Sequence, residues 1–192
     1  MSKYCELAPG HPFHGSYHDL EYGYPVTDDN ILFERLVLEI NQAGLSWLTI
    51  LKKREAFRAA YNGFDIEQVA MFGNSERECL LRNASIIRNK LKVNAAIENA
   101  RRICHLKRIF GSFSGWLEYH HPLKKREWVQ LFKKTFLFTG GEITGEFLMS
   151  TGYLPGAHEP SCPILKNIAR LNPPYMRWID ARYLDQPIRK LF

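Results

Sequence analysis

The chain has 192 residues, enough for one cooperative core and too few for two comfortable ones. Hydrophobic residues make up 45% and charged residues 24%, with a net charge of +6, an ordinary globular balance. No apolar run reaches bilayer-crossing length, and Met1-Ser2-Lys3-Tyr4-Cys5 lacks the apolar core of a secretory signal, so a cytoplasmic protein without membrane contact is expected.

Helical signals dominate. Thr27-Asp28-Asp29 offers caps for a segment whose apolar positions Leu32, Phe33, Leu36, Val37 and Ile40 recur at helical spacing. Gly44 can end it, and Ser46 can cap the next helix, carrying Trp47, Ile50, Leu51 and Phe57. Asp65 and Ser75 read as N-caps of two short helices, and a longer one is predicted from about Ile86 to about His105 with Ile97 and Ile103 inward. An aromatic segment follows around Phe113, Trp116 and Leu117, then one from Trp128 to Phe136, then Glu142 to Ser150. Sustained strict alternation is absent, so the class is all-α. Pro155, Pro160, Pro163 and Pro173-Pro174 mark the end of regular packing. Residues 1–165 are therefore expected to form a single domain, and 166–192 a tail packed on it or partly disordered.

Basic residues cluster at Lys52-Lys53-Arg54, Arg101-Arg102, Lys124-Lys125-Arg126 and Lys133-Lys134. Such a surface suits a polyanion, because each neutralised phosphate releases counterions. Solvated helix faces would look the same.

Four cysteines, Cys5, Cys79, Cys104 and Cys162, are not expected to pair in a reducing cytosol. His158 and Cys162 are four residues apart and share a face on a helical turn. With Cys5 and His18 they make a two-Cys, two-His set suited to one zinc, which four protein ligands would close as a structural site. The gap between the halves leaves buried thiols as the alternative. Cys79 and Cys104 read as ordinary packing residues, and adjacent His120 and His121 as loop residues.

Glu39 sits beside apolar positions, with Trp47 beyond a glycine turn and Tyr17 next to His18. A carboxylate among aromatic faces can hold a flat cation; the other reading puts Glu39 in solvent and Trp47 in the core. Gly140-Gly141 joins two helical segments and allows close backbone approach and positive φ. With Lys133, Lys134 and Thr144 nearby, the following helix N-terminus makes a candidate DNA-backbone anchor. Glu142 opposes it locally, and a plain turn is the alternative.

Taken together, these segments resemble the DNA-3-methyladenine glycosylase I family over about residues 5 to 165. The resemblance rests on Cys5, Tyr17-His18-Asp19 through Glu21 and Gly23, Leu38-Glu39 with Gln42-Ala43-Gly44-Leu45-Ser46-Trp47, Leu51-Lys52-Lys53-Arg54, Ile86-Ile87-Arg88-Asn89, Phe138 to Gly140, and His158 with Cys162. It implies a helix-hairpin-helix glycosylase fold with a structural zinc on Cys5, His18, His158 and Cys162, and a base pocket of Tyr17, Glu39 and Trp47. It also implies a monofunctional enzyme that excises 3-methyladenine by hydrolysis, without a lyase step, with Glu39 the catalytic candidate. The partners implied are double-stranded DNA carrying alkylated bases and free 3-methyladenine as product, with the protein a monomer. Leu7, His14, Tyr22, Ile40 and Ser85 depart from the family pattern; the first three touch the base-stacking wall. A non-catalytic or altered-specificity DNA-binding member of the same fold is the competing reading. A zinc hydrolase is a third, and it needs an open metal position.

Overall fold

A computed structural model describes residues 4–177, all of whose regular elements are helices. Two short helices, α1 (Tyr4–Leu7) and α2 (His14–Leu20), precede α3 (Asp29–Gln42), α4 (Trp47–Ala60), α5 (Ile66–Ala70), α6 (Asn74–Arg82) and α7 (Lys90–Phe110). Then come α8 (Phe113–His120), α9 (Lys125–Thr135), α10 (Gly141–Ser150), α11 (Pro163–Arg170) and α12 (Pro174–Arg177). No helix among the described residues is long and apolar enough to cross a membrane.

The caps explain most boundaries. Asp28, Ser46 and Asp65 each accept a backbone N–H of the first helical turn, satisfying donors that would otherwise lack partners. Ser75 does not cap α6: Gly73 holds that position, its N–H donating to Glu76 at 2.7 Å. The long helix starts later than its apolar pattern suggests and runs to Phe110. Asn89 accepts from the N–H groups of Leu91 and Lys92 and fixes the start there. Cys104 therefore lies inside α7 rather than at its end, and Cys79 is exposed rather than packed.

Helix α3 is the axis of the fold. Its periodicity reads as one apolar stripe, yet every residue from Leu32 to Asn41 is buried, because α4, α7, α8 and α10 pack around it. A helix covered on all sides must also bury its polar positions, here Glu34, Arg35, Glu39 and Asn41. At its start, Asp29 accepts from the N–H groups of Phe113 and Ser114, both at 3.0 Å, clamping α8 in place. Around α7 and α8 an aromatic core gathers Phe113, Trp116, Trp128, Phe132, Phe136 and Phe147.

Regular structure does not stop near residue 165. Pro163 opens α11 at a first-turn position that needs no N–H, Ile168 is buried, and α12 follows. The remainder of the expected tail, 178–192, lies outside the described residues.

Two basic clusters are engaged within the fold. Lys53 donates to the carbonyls of Ala84 and Ser85, and Arg101 to those of Ala70 and Phe72. Arg102 bonds the Thr135 carbonyl. Lys133 and Lys134 remain exposed.

Candidate base pocket and metal centre

Helix α1 carries Cys5, α2 carries His18, and the segment leading into α11 carries His158 and Cys162. Their donor atoms all lie within 4.8 Å of one another. Cys162 Sγ is 3.5 Å from His158 Nδ1 and 3.7 Å from His18 Nε2, and Cys5 Sγ is 3.7 Å from His158 Nδ1. A tetrahedral ion with bonds of about 2.3 Å to sulfur and about 2.0 Å to nitrogen sets ligand edges of roughly 3.3–3.8 Å, so the donor set fits one. The remaining imidazole nitrogens face acceptors: His18 Nδ1 lies 2.7 Å from Asp19 Oδ1, and His158 Nε2 lies 2.7 Å from the Tyr22 carbonyl. Such outer partners fix which nitrogen each ring presents.

Gly23 lets the two chain ends approach. Its φ is +83°, and a Cβ there would lie 2.8 Å from the Ala157 side chain and 3.3 Å from the His158 ring. A Cβ at that position would displace the loop carrying Ala157 and His158.

Beside this centre, three rings converge. Tyr17 lies 5.1 Å from Trp47 and 5.7 Å from Tyr22, centroid to centroid, and the Trp47 side chain hydrogen-bonds Tyr4. Tyr17 is 2% exposed, and its hydroxyl faces the Arg35 guanidinium without a well-formed hydrogen bond. Burial pushes the phenol well above its ordinary range.

Glu39 is 5% exposed, which settles the choice between solvent and interior. Burial first, and then the charge of Glu146, push its carboxyl up to about 8, against the pull of Arg35. Its neighbours on α3 are paired where it is not. Glu34 accepts from Arg54 at 2.7 Å and from Arg58 at 3.1 Å. Glu21 accepts from both Arg54 and Arg35. Burial works against charge on Glu21, but the two guanidiniums win and hold its carboxyl below the usual range. Arg54, read from sequence as part of a basic cluster, is thus committed to an internal network. A cavity of about 580 Å3 opens over that network, lined in part by Phe13, Tyr17, Glu21 and Arg58. It does not include Glu39 or Trp47, so the buried carboxyl and phenol, rather than this cavity, mark the candidate chemistry.

The departures have distinct fates. Leu7 is 68% exposed. His14 Nδ1 lies 3.2 Å from the Tyr4 hydroxyl, and Tyr22 donates to Glu146 at 3.0 Å. Ile40 is buried within α3, and Ser85 is exposed.

At the hairpin, Gly140 caps α10 with φ −99°, and neither it nor Gly141 takes positive φ; Phe138 does, at +60°. Thr144 is fully buried, its hydroxyl unpartnered among the described residues, so its side chain turns into the core.

The sequence pattern that defines methyladenine glycosylases matches residues 8–135. The chain belongs to the methyladenine glycosylase family. It is 30% identical over 182 residues to the DNA-3-methyladenine glycosylase of Haemophilus influenzae, a match covering 85% of this chain and 98% of that one. With DNA-3-methyladenine glycosylase 1 of Escherichia coli it is 46% identical over 97 residues, about half of each chain. Among solved structures, 3-methyladenine DNA glycosylase I from Staphylococcus aureus superposes with a TM-score of 0.74 at 28% identity, covering 84% of this chain and 96% of that one. A variant of 3-methyladenine DNA glycosylase I in complex with 3-methyladenine gives 0.75 at 28% identity, covering 85% and 97%. Within this family of all-helical glycosylases, Arg35, Glu146, Asp19 and Tyr4 are the site neighbours that sequence reasoning missed. The charged positions 34, 35 and 39 inside an apolar helix hinted at Arg35 alone, and Asp19 was visible only within the Tyr17-His18-Asp19 motif.

Proposed function

We infer that this protein is a monofunctional DNA glycosylase that hydrolyses the N-glycosidic bond of 3-methyladenine in alkylated DNA. The observation that carries the reading is Glu39: a buried carboxyl with no hydrogen-bond partner among the described residues, close to Tyr17 and Tyr22, in a member of the methyladenine glycosylase family.

Methylation at N3 makes adenine a cation within DNA. Drawing that base out of the duplex costs a few kcal/mol. Tyr17 and Trp47 stack on the charged ring, and Glu39 and the Tyr17 hydroxyl meet its polar edge. The arriving cation offsets the cost of charge on Glu39 and draws its carboxyl back toward the ionised form. The carboxylate then stabilises positive charge developing on the sugar. The bond between C1′ and N9 breaks with its electron pair going to the base, which leaves neutral. Water adds to C1′ and releases a proton to solvent. No acid on the leaving group is needed, because the lesion already carries the charge.

Cys5, His18, His158 and Cys162 would hold one zinc. It supplies a structural crosslink between the ends of the domain, and four protein donors leave no position for an activated water. The two helices α9 and α10, joined through 136–140, form the hairpin that would grip double-stranded DNA through the Gly140 and Gly141 backbone, with Lys133 and Lys134 alongside.

Chromatography of bases released from methylated DNA tests the reading. The wild type should release 3-methyladenine, and Glu39→Gln should release it at a rate lower by roughly 10–100-fold. A wild type that binds methylated DNA but frees no base would make the protein a binding module on the same fold.

A further inference from the structure

Glu146 stands on α10, which packs directly on α3. One of its oxygens accepts from the Tyr22 hydroxyl at 3.0 Å, and the other has no partner among the described residues. Tyr22 is also in ring contact with Tyr17 and Tyr4, so Glu146 is anchored to the aromatic wall of the pocket. The charge of Glu146 acts on both Glu39 and Tyr22. Two carboxyl groups from two helices and three rings from α2, α4 and the turn between α2 and α3 are thus linked by contact or by charge. One carboxyl, Glu39, is buried with no hydrogen-bond partner among the described residues, and the Tyr17 hydroxyl faces Arg35.

We propose that Glu146 is a specificity-determining residue of the base pocket, a second acidic group, aimed by Tyr22, that favours a cationic purine over a neutral one. The proposal rests on the glycosylase reading and names a residue that reading does not use. Its physical basis is charge. Two neighbouring carboxyls cannot both ionise cheaply, and a like charge raises the cost for the partner. A cation between them relieves that repulsion, whereas a neutral base leaves it in place.

Several titratable groups stand on the elements packed around the pair. Arg35 lies on α3 and draws Glu39 toward ionisation. Lys92 is held by the carbonyls of Asn41 and Ala43 at the end of α3. Lys125, at the start of α9, lies over Gly145 of α10, where a Cβ would come within 2.9 Å of its Nζ. Tyr17, Tyr22 and Tyr4 border the pair from α2, the turn after it and α1.

The test is the pH profile of kcat/KM for base release from methylated DNA, measured on wild type, Glu146→Gln and Glu146→Asp. In the wild type, activity should rise with pH through the Glu39 midpoint, near the value of about 8 of the free protein. Glu146→Gln should do two things at once. The alkaline plateau should fall about tenfold, from the lost attraction for the cation, and the midpoint should move to lower pH, from the lost repulsion. Glu146→Asp should keep the wild-type midpoint. A midpoint unmoved in Glu146→Gln overturns the proposal whatever the plateau does, since a packing role lowers activity without shifting a neighbour's titration. An unchanged plateau also overturns it, leaving Glu146 to tune Glu39 without taking part in recognition. Failure of the underlying reading looks different: wild type would release no base, or Glu39→Gln would match it.

Discussion

The guanidinium carbon of Arg35 lies 4.7 Å from the centroid of the Tyr17 ring. Both residues are 2% exposed, so a full positive charge is stacked on a pocket ring inside the protein. Its charge is answered by Glu21 on one side, while Nε and Nη1 have no partner among the described residues. The contact couples the ion network below to the pocket above. Cation–π attraction is strongest where water is excluded, so Arg35 holds Tyr17 in place and favours charge on Glu39.

Replacing Arg35 by Met should therefore act at both levels. Stability should fall by about 3 kcal/mol, because a buried ion pair is broken from one side, although Glu21 keeps Arg54. The midpoint of the activity profile should move to higher pH, because the group that pulls the Glu39 carboxyl down is gone. Urea denaturation and a pH series of base release read the two effects.

The raised carboxyl of Glu39 predicts a slope in stability. Its value rises from 4.5 to about 8 on folding, so the folded state holds a proton that the unfolded state has given up across that window. Stability from this group is complete below about pH 4.5 and is lost as pH rises toward 8. Glu39→Gln removes the slope, and at pH 8 it should be more stable than wild type by at most about 5 kcal/mol. Denaturation at pH 5 and pH 8 checks the sign: a variant destabilised equally at both would contradict a buried neutral carboxyl.

The metal centre should bind one zinc per chain, measurable by atomic emission on the purified protein. Cys162→Ser should lose the ion and with it several kcal/mol of stability, since metal binding in such sites is folding energy. Asp19→Asn, which leaves all four donors in place, should weaken zinc binding by about 10–100-fold through the His18 ring. Competition with a chromogenic chelator separates the two variants.

At the hairpin, Lys133→Ala with Lys134→Ala should reduce the slope of log affinity against log salt by nearly two, about 0.9 for each phosphate no longer neutralised. Thr144→Val should leave DNA affinity unchanged and raise stability by about 1 kcal/mol, because it removes an unpartnered buried hydroxyl. Weaker DNA binding by Thr144→Val would return that residue to the DNA-binding face.

Helix identity was legible wherever local chemistry decides it. Asp28, Ser46 and Asp65 announce helix starts because a short side-chain oxygen caps N–H groups two or three residues away. The four metal donors could be named from residue type, but their meeting required chain ends 153 residues apart to converge, which spacing cannot express. The same limit hid Arg54. Three basic residues in a row read as surface, yet the third points to Glu21 and Glu34 on other elements. Glu146 was invisible for a further reason. An acidic residue in the second turn of α10 fits any solvated helix, and only the approach of Tyr22 from 124 positions away gives it a role.

The joining of Cys5 to His158 also sets an order of events during synthesis. A chain made from its N-terminus exposes Cys5 and His18 long before their partners exist, so two of the four donors wait as open thiol and imidazole while the helical body forms. The proposed zinc clasp can close only once Cys162 has emerged. Nascent chains halted before residue 158 lack His158 and Cys162, so under the proposed zinc reading they should take up no ion.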